Sequence, residues 1–300
     1  MAPSGELQQI APEHSAAAPL SPGLYITATP IGNAGDITIR ALSVLRNCDA
    51  IVAEDTRVTS RLLSLYGISR PLLIYNDHNA SAAVPKLLRR LKQGQSLALV
   101  SDAGTPLISD PGYRLVKAVR DESLPVVPIP GPSAVVAALS VAGIPVDRFF
   151  FAGFLPAKQG ERRDMLNTLR RVPATLGFLE SPHRLPETLE AMAAVLGDRI
   201  AVVAREMTKL HEEIRRGHLL ELASHYAEMP AKGEVVVLAG PPAEPDEPDL
   251  PLIDSLLRQA LEFMPVKAAA GLVAEATRSR RREVYARALV LGGQDGSRIG

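Results

Sequence analysis

Short apolar runs that alternate with helical patterns constrain the fold of the first half of this chain more than any other feature. The runs occupy residues 24–29, 50–53, 71–75, 97–100 and 126–129, and a helical pattern follows each of them. A continuous apolar run is typical of a strand buried on both faces of a parallel sheet. Strict alternation of such strands with helices predicts an α/β domain with a largely parallel sheet.

Three loops that follow these strands change abruptly to small and polar residues. They are residues 29–33 (TPIGN), 101–106 (SDAGTP) and 130–133 (PGPS). Open α/β sheets bind ligands outside the carboxyl ends of their strands, so we expect the three loops to line one crevice. Ala103 and Gly104 permit a close approach of a ligand to the backbone. An ordinary strand-to-helix turn is the alternative for any one of these loops taken alone.

Composition and the absence of several motifs exclude other classes of site. Lysine plus arginine balance aspartate plus glutamate at 33 each, so any nucleic-acid surface must be local. No G-x-G-x-x-G follows a strand, and neither G-x-x-x-x-G-K-[ST] nor G-x-S-x-G occurs. The histidines form no tight group with carboxylates, so no metal site is predicted. The single Cys48 excludes an internal disulfide, which fits a reducing cytoplasm.

Composition also divides the chain. Residues 1–22 are polar and lack the pattern of a signal peptide. This composition predicts a disordered leader. We expect α/β domains at 23–140 and 147–240. The acidic, proline-rich residues 241–251 predict an extended linker, and residues 252–300 carry three helical patterns that can form a helix-turn-helix-like module. No run reaches the roughly 18 apolar residues of a membrane span, so no membrane association is predicted.

The second α/β domain is predicted with strands separated by helices. The strands are expected at residues 149–154, 175–179, 200–204 and 234–239, with helices at 162–171, 185–196 and 219–228.

Eight motifs that occur together, in one order, carry a resemblance to a known family. They are residues 29–33, 53–57 (AEDTR), 77–79 (DHN), 101–112, 128–133, 153–156 (GFLP), 180–184 (ESPHR) and 205–209 (REMTK). With them the chain closely resembles the bacterial cytidine 2′-O-methyltransferases of small-subunit ribosomal RNA, in the tetrapyrrole methylase superfamily. The resemblance covers about residues 22–240, and residues 267–270 with Tyr285 resemble the C-terminal helical module of that family.

The resemblance implies a fold, a cofactor and partners. It implies two α/β domains with S-adenosylmethionine (SAM) bound folded in the cleft between them, and a cytoplasmic homodimer. The implied substrate is a decoding-centre cytidine of 16S rRNA within the small ribosomal subunit. The matching positions expected to contact the cofactor are Pro30, Asp102, Ala103, Gly104, Thr105, Gly131, Ser133, Leu155, Phe178, Glu180 and Gly233.

Methyl transfer to a ribose hydroxyl, a poor nucleophile, would gain from a nearby base. Asp55 and Glu54 follow the second predicted strand, and with Arg57 they are the candidate catalytic residues. The alternative for Asp55 is an ion pair with Arg57 or a cap on the following helix.

Basic residues give two candidate RNA-binding groups. His183, Arg184 and Lys209 follow strands of the second domain, and the alternative for the last two is an ion pair with Glu206 or Glu212. Arg280, Arg281 and Arg282 begin a helix in the predicted C-terminal module. The module departs from the family at Pro265-Val266-Lys267, where one lysine replaces the usual pair.

Two other functions stay open on the sequence. One is a methyltransferase of the same superfamily that acts on a small tetrapyrrole-like molecule. The other is a non-catalytic ribosome-assembly protein that uses the fold only for binding. The basic C-terminal helices and the AEDTR and SPHR motifs count against the first.

Overall fold

The computed structural model of the chain describes residues 19–242, 250–277 and 279–294. Most of the predicted leader (1–22) and of the predicted linker (241–251) lies outside the described residues. The chain divides into two units, Met1–Pro242 and Ala243–Gly300, and each is described by itself.

The first sheet is entirely parallel, as predicted. Its strands lie in the order β3-β2-β4-β1-β5. They are β1 (Gly23–Thr27), β2 (Ala50–Ala53), β3 (Leu72–Ile74), β4 (Ser96–Val100) and β5 (Val126–Ile129). The helices of this half are α1 (Ile39–Asn47), α2 (Thr56–Leu65), α3 (Ala80–Lys92), α4 (Tyr113–Asp121) and α5 (Ala134–Val141).

Strand β4 shows why its sequence is continuously apolar. Leu97 and Leu99 enter one hydrophobic core, together with Leu115 of α4. Ala98 and Val100 point to the opposite face and enter a second core. Because successive side chains of a strand alternate between faces, a strand covered by helices on both sides must be apolar at every position.

The second sheet has the order β6-β7-β10-β8-β9 and is mostly antiparallel. Only β6 and β7 pair in parallel. Its strands are β6 (Phe149–Phe154), β7 (Thr175–Glu180), β8 (Ile200–Arg205), β9 (Glu213–His218) and β10 (Val235–Ala239). The accompanying helices are α6 (Gln159–Leu169), α7 (Leu185–Leu196) and α8 (Leu219–Glu228).

Strand β9 was missed by the sequence prediction. Its sequence, EIRRGH, is polar, and four of its six residues are exposed. The reason is its place at the edge of the sheet, where it pairs only with β8 and is not covered on both faces.

A shared hydrophobic core joins the two halves of the first unit. Ile31 and two residues of α5, Val135 and Leu139, pack with Val202 of β8 and Leu238 of β10. Helix α5 therefore covers a face of the second sheet, and it holds the loops of the first sheet beside the second domain.

The described residues of the second unit form three helices: α9 (Leu250–Leu261), α10 (Val266–Thr277) and α11 (Arg281–Gln294). Ile253, Leu257, Val273 and Val284 form its core. Alanines 269 and 270 are fully buried there and allow close packing of the helices. In the part of the chain that the structure describes, no helix is both long and apolar enough to span a bilayer.

Candidate active site

The loops that follow β1, β4 and β5 are joined by hydrogen bonds. Thr29 and Gly104 exchange both backbone bonds, with N···O distances of 2.9 and 3.1 Å. The Thr29 hydroxyl donates to the Ser101 carbonyl at 3.2 Å, and the Thr105 hydroxyl donates to the Pro132 carbonyl at 2.9 Å. The structure therefore brings the loops of Pro30, Asp102 and Gly131 together, as expected for one crevice.

Two glycines permit this close approach. Gly104 has φ +79°, and a Cβ placed there would lie 3.3 Å from Ile31 Cγ2. A Cβ at Gly131 would lie 2.9 Å from the Cβ of Ala28, closer than real Cβ contacts. Both positions thus need glycine, the first for its left-handed backbone and the second for space.

A group of carboxylates lies at the ends of β2 and β4. The backbone N–H of Asp55 donates to Asp102 Oδ1 at 3.2 Å and ties the two strand ends together. Burial, and then the neighbouring charges of Asp102 and Asp110, raise the pKa of Glu54. Burial also raises the pKa of Asp102 and of Asp110. The combined negative charge at this edge favours a cationic ligand.

Asp55 is held by its neighbour Arg57. One carboxylate oxygen accepts from the backbone N–H of Arg57 at 2.8 Å and caps α2. The Arg57 guanidinium donates to both oxygens, at 3.0 and 2.6 Å. These bonds hold the pKa of Asp55 well below its usual range. The contacts match the capping and ion-pair alternative, and they leave Asp55 a weaker proton acceptor than Glu54.

On the second domain, Arg184 organises the predicted cofactor contacts. Its Nη2 lies 2.8 Å from the Leu155 carbonyl and 3.1 Å from the Pro156 carbonyl. The same nitrogen is 3.3 Å from Glu180 Oε2, which also accepts from the Thr188 hydroxyl at 2.7 Å. The guanidinium thus connects the loop after β6 to the end of β7.

Two other predicted cofactor positions, Phe178 and Gly233, are packed against other residues of the second domain. Phe178 is fully buried, and its side chain packs in the core of the second domain. Gly233 has φ +79°, and a Cβ there would lie 2.0 Å from Glu206 Oε1. The carboxylate of Glu206 therefore occupies the space beside Gly233, where it accepts from the Glu234 backbone N–H at 3.1 Å.

The loop after β1 packs directly on the turn that follows β8. A Cβ at Gly32 would lie 2.5 Å from Lys209 Cγ and 2.9 Å from the Met207 carbonyl oxygen. The backbone N–H of Asn33 donates to Thr208 Oγ1 at 3.0 Å. The sequence pattern carried no signal for this contact, which joins residues far apart in the chain.

The predicted RNA-binding residues of the second domain differ in their surroundings. His183 is exposed just before α7. Lys209 pairs with Glu206 at 2.9 Å, as in its ion-pair alternative, and also with Glu234 at 3.2 Å. Arg184 pairs with Glu180 instead of Glu206 or Glu212. The RNA contacts of Arg184 and Lys209 stay predictions, because both side chains already have partners within the domain.

In the helical unit, the predicted basic group lies at the start of α11. Arg280 and Arg282 are exposed, and Arg280 lies 3.6 Å from Glu283. The Arg281 guanidinium lies over α10, with its Nη2 3.3 Å from where a Cβ would stand at Gly271. The structure therefore leaves positive charge on the surface at the start of this helix.

Among the described residues of the whole chain, no three metal-ligating side chains come together.

Comparison with known proteins identifies the family. A family model of tetrapyrrole (corrin/porphyrin) methylases matches residues 23–223, and a model of the RsmI C-terminal HTH domain matches residues 244–292. A protein of Mesorhizobium japonicum named ribosomal RNA small subunit methyltransferase I is 52% identical, over 92% of this chain and 94% of its own length. The chain belongs to the ribosomal RNA small subunit methyltransferase I family. A member from Erythrobacter litoralis is 54% identical, over 93% of this chain and 98% of its own.

Solved structures support the fold of this family member. The uroporphyrin-III C-methyltransferase of Thermus thermophilus, complexed with S-adenosylhomocysteine, superposes with a TM-score of 0.52 at 18% identity. The match covers 72% of this chain and 97% of that one. The predicted fold class, two α/β domains of the tetrapyrrole methylase type followed by a helical module, is confirmed.

Proposed function

We propose that this chain is a SAM-dependent methyltransferase that methylates the ribose 2′-hydroxyl of a decoding-centre cytidine in 16S rRNA. The observation that carries the proposal is the match to ribosomal RNA small subunit methyltransferase I over both α/β domains and the helical unit. The hydrogen-bonded loops at the carboxyl edge of the first sheet support it, since ligands bind at such edges.

The residues at this edge fit SAM by their chemistry. SAM supplies a methyl group on a positively charged sulfur. The carboxylates of Asp102 and Glu54 favour a cation. Pro30 and Pro132 have no backbone N–H, so at these two positions the adjoining loops offer carbonyl acceptors but no backbone donors. Gly104, Thr105, Gly131 and Ser133 would hold the cofactor from the first domain, with Leu155, Glu180 and the backbone near Gly233 opposite.

Within this site we assign the acceptor of the hydroxyl proton to Glu54. Its pKa is raised by burial and by nearby carboxylates, whereas the Arg57 guanidinium holds Asp55 ionised. A positioned base contributes roughly 10²–10⁴-fold in rate, and alignment of the two reactants contributes about 7–11 kcal/mol. Asp55 then serves to cap α2 and to hold Asp102 through its backbone N–H.

The substrate assignment extends to the assembled small subunit. Exposed Arg280 and Arg282 at the start of α11 supply charge for the RNA backbone. Ribosomal RNA as substrate, together with the unpaired Cys48, supports a cytoplasmic location.

We also propose a homodimer. Strand β6 is at the edge of the second sheet, and its Phe149, Phe150 and Phe154 side chains are 49%, 45% and 56% exposed. An edge strand with exposed aromatic residues is normally covered by another surface, and a second copy of the chain would cover it here. Light scattering should report twice the monomer mass, and Phe150→Glu should shift the protein toward monomer. A monomeric wild-type protein would contradict the proposal.

Two measurements test the enzymatic function. Calorimetry with SAM should show one site per chain. Small subunits that lack the modification should then be incubated with labelled SAM, and alkali-resistant positions in their rRNA mapped. Label at one cytidine ribose is the expected result. SAM binding without label in the rRNA would contradict the substrate, and no SAM binding would contradict the enzyme.

A further inference from the structure

A basic hollow lies beside the carboxylate edge, on the outer face of α2. It has a volume of about 560 Å³ and is lined by Thr56, Arg57, Ser60, Arg61 and Leu72. The hollow is shallow and open to solvent. Four of its five lining residues carry hydrogen-bond donors, and two of them carry positive charge.

The spacing of these residues places the donors on one face of the helix. Thr56 and Ser60 are four residues apart, as are Arg57 and Arg61, so each pair lies on adjacent turns. The two arginines are therefore separated by about 6 Å along the helix axis. Helix α2 itself contains no acidic residue. The face presents two hydroxyls and two guanidinium groups in one place, a donor set that suits an anion with several oxygens.

Two acidic side chains act on Arg57 at one end of the hollow, Asp55 by direct contact and Asp102 through its charge. Asp55 binds the Arg57 guanidinium and caps the Arg57 backbone N–H. The charge of Arg57 is therefore partly neutralised, whereas Arg61 lies a full turn away from that carboxylate. Arg61 is exposed, and with the two hydroxyls it supplies most of the attraction for an anion.

From this arrangement we infer that the hollow binds a backbone phosphodiester of the RNA, close to the nucleotide that is methylated. The inference rests on the proposed function, because it concerns how the same substrate is held. An RNA strand that approaches Glu54 and Asp102 meets repulsion from their carboxylates. A phosphate contact next to this edge offsets that repulsion and sets the position of the ribose. Arg61 is then a positioning residue that binds substrate away from the reacting atoms.

The test compares Arg61→Ala with Arg61→Lys and with Arg120→Ala, a matched control on the exposed side of α4. For Arg61→Ala we expect the dissociation constant for small ribosomal subunits to rise roughly tenfold, in line with loss of a charged hydrogen bond. The plot of log K against log salt should become less steep by about 0.7–0.9, which is the change expected for the loss of one phosphate contact. Arg61→Lys should keep the slope, and Arg120→Ala should behave as wild type. SAM affinity, measured by calorimetry, checks that each variant is folded.

Each outcome decides the inference. If Arg61→Ala binds small subunits with the same affinity and the same salt slope as the wild-type protein, the inferred phosphate site is wrong. That result would not bear on methylation by the wild-type protein. Titration with inorganic phosphate separates a free-anion site from an RNA site: phosphate binding that depends on Arg61, with unchanged affinity for the subunit, would also overturn it. Failure of the wild-type protein to methylate rRNA would count against the proposed function instead.

Discussion

Thr208 Oγ1 accepts a hydrogen bond of 3.0 Å from the backbone N–H of Asn33, a residue 175 positions earlier in the chain. The bond joins the loop after β1 to the turn after β8. That turn holds two residues other than glycine in the left-handed region, Glu206 at φ +50° and Thr208 at φ +65°. Such positions cost of order 1–3 kcal/mol each and persist only where the surroundings hold them. Here the Lys209 ammonium and the backbone N–H of Glu234 donate to the Glu206 carboxylate.

Thr208→Val should weaken SAM binding. Valine keeps the shape and branching of threonine but removes the acceptor for Asn33, so the loop that carries Pro30 loses one link to the second domain. One neutral hydrogen bond corresponds to about 0.5–1.5 kcal/mol, or a rise of roughly 2- to 10-fold in the SAM dissociation constant. Calorimetry measures this dissociation constant. Thr208→Ser keeps the hydroxyl and should bind as wild type, and equal weakening in both variants would contradict a role for the bond.

Arg184→Ala should destabilise the protein. The buried carboxylate of Glu180 loses its positive partner, and the carbonyls of Leu155 and Pro156 lose a donor. Removing one member of a buried pair costs about 3 kcal/mol of unfolding free energy. Urea denaturation checks this, with Arg163→Ala on the exposed face of α6 as the control. If Arg184 instead contacts RNA, stability will stay the same and affinity for the small subunit will fall.

The pH dependence of methyl transfer should report Glu54. A base must be deprotonated to act, so activity falls as the pH drops through its pKa. Burial and neighbouring carboxylates raise that pKa, and the acid limb of kcat/KM should therefore have its midpoint above the ordinary glutamate value of about 4.3. Glu54→Gln should lower kcat by roughly 10²-fold or more and remove this limb.

Asp55→Asn is the matched comparison for that base. The asparagine side-chain oxygen can still cap α2, and Glu54 is unchanged, so kcat should fall far less than in Glu54→Gln. SAM affinity should be close to wild type in Asp55→Asn and weaker in Glu54→Gln, because the second change removes a carboxylate that favours the cationic sulfur. A loss of turnover in Asp55→Asn alone, with the acid limb removed, would return the role of base to Asp55.

Removal of residues 250–300 should separate RNA binding from cofactor binding. The helical unit has its own core and carries the exposed Arg280 and Arg282. We expect the shortened protein to bind SAM normally and to bind small subunits more weakly, with a smaller dependence on salt. Calorimetry and filter binding measure the two. An equal loss of SAM affinity would show that the unit supports the structure of the methyltransferase domains.

The sequence alone determined the first sheet and the loops at its carboxyl edge. A strand buried on both faces must be apolar throughout, so β4 could be identified from its residues. Small residues and prolines marked the loops, since close approach and tight turns require them. The sequence also suggested two other roles for Asp55, as the cap of the following helix or as the ion-pair partner of Arg57, because Arg57 is only two residues away.

Only the tertiary structure decided the antiparallel second sheet, the edge strand β9 and the partners of Arg184 and Thr208. These depend on which segments meet across long stretches of chain, as Thr208 meets Asn33. A residue's own neighbours in sequence carry its tendency to be buried or to turn, and this is a local property. The partner of a charge or a hydroxyl is set by packing of distant elements, which no local pattern records.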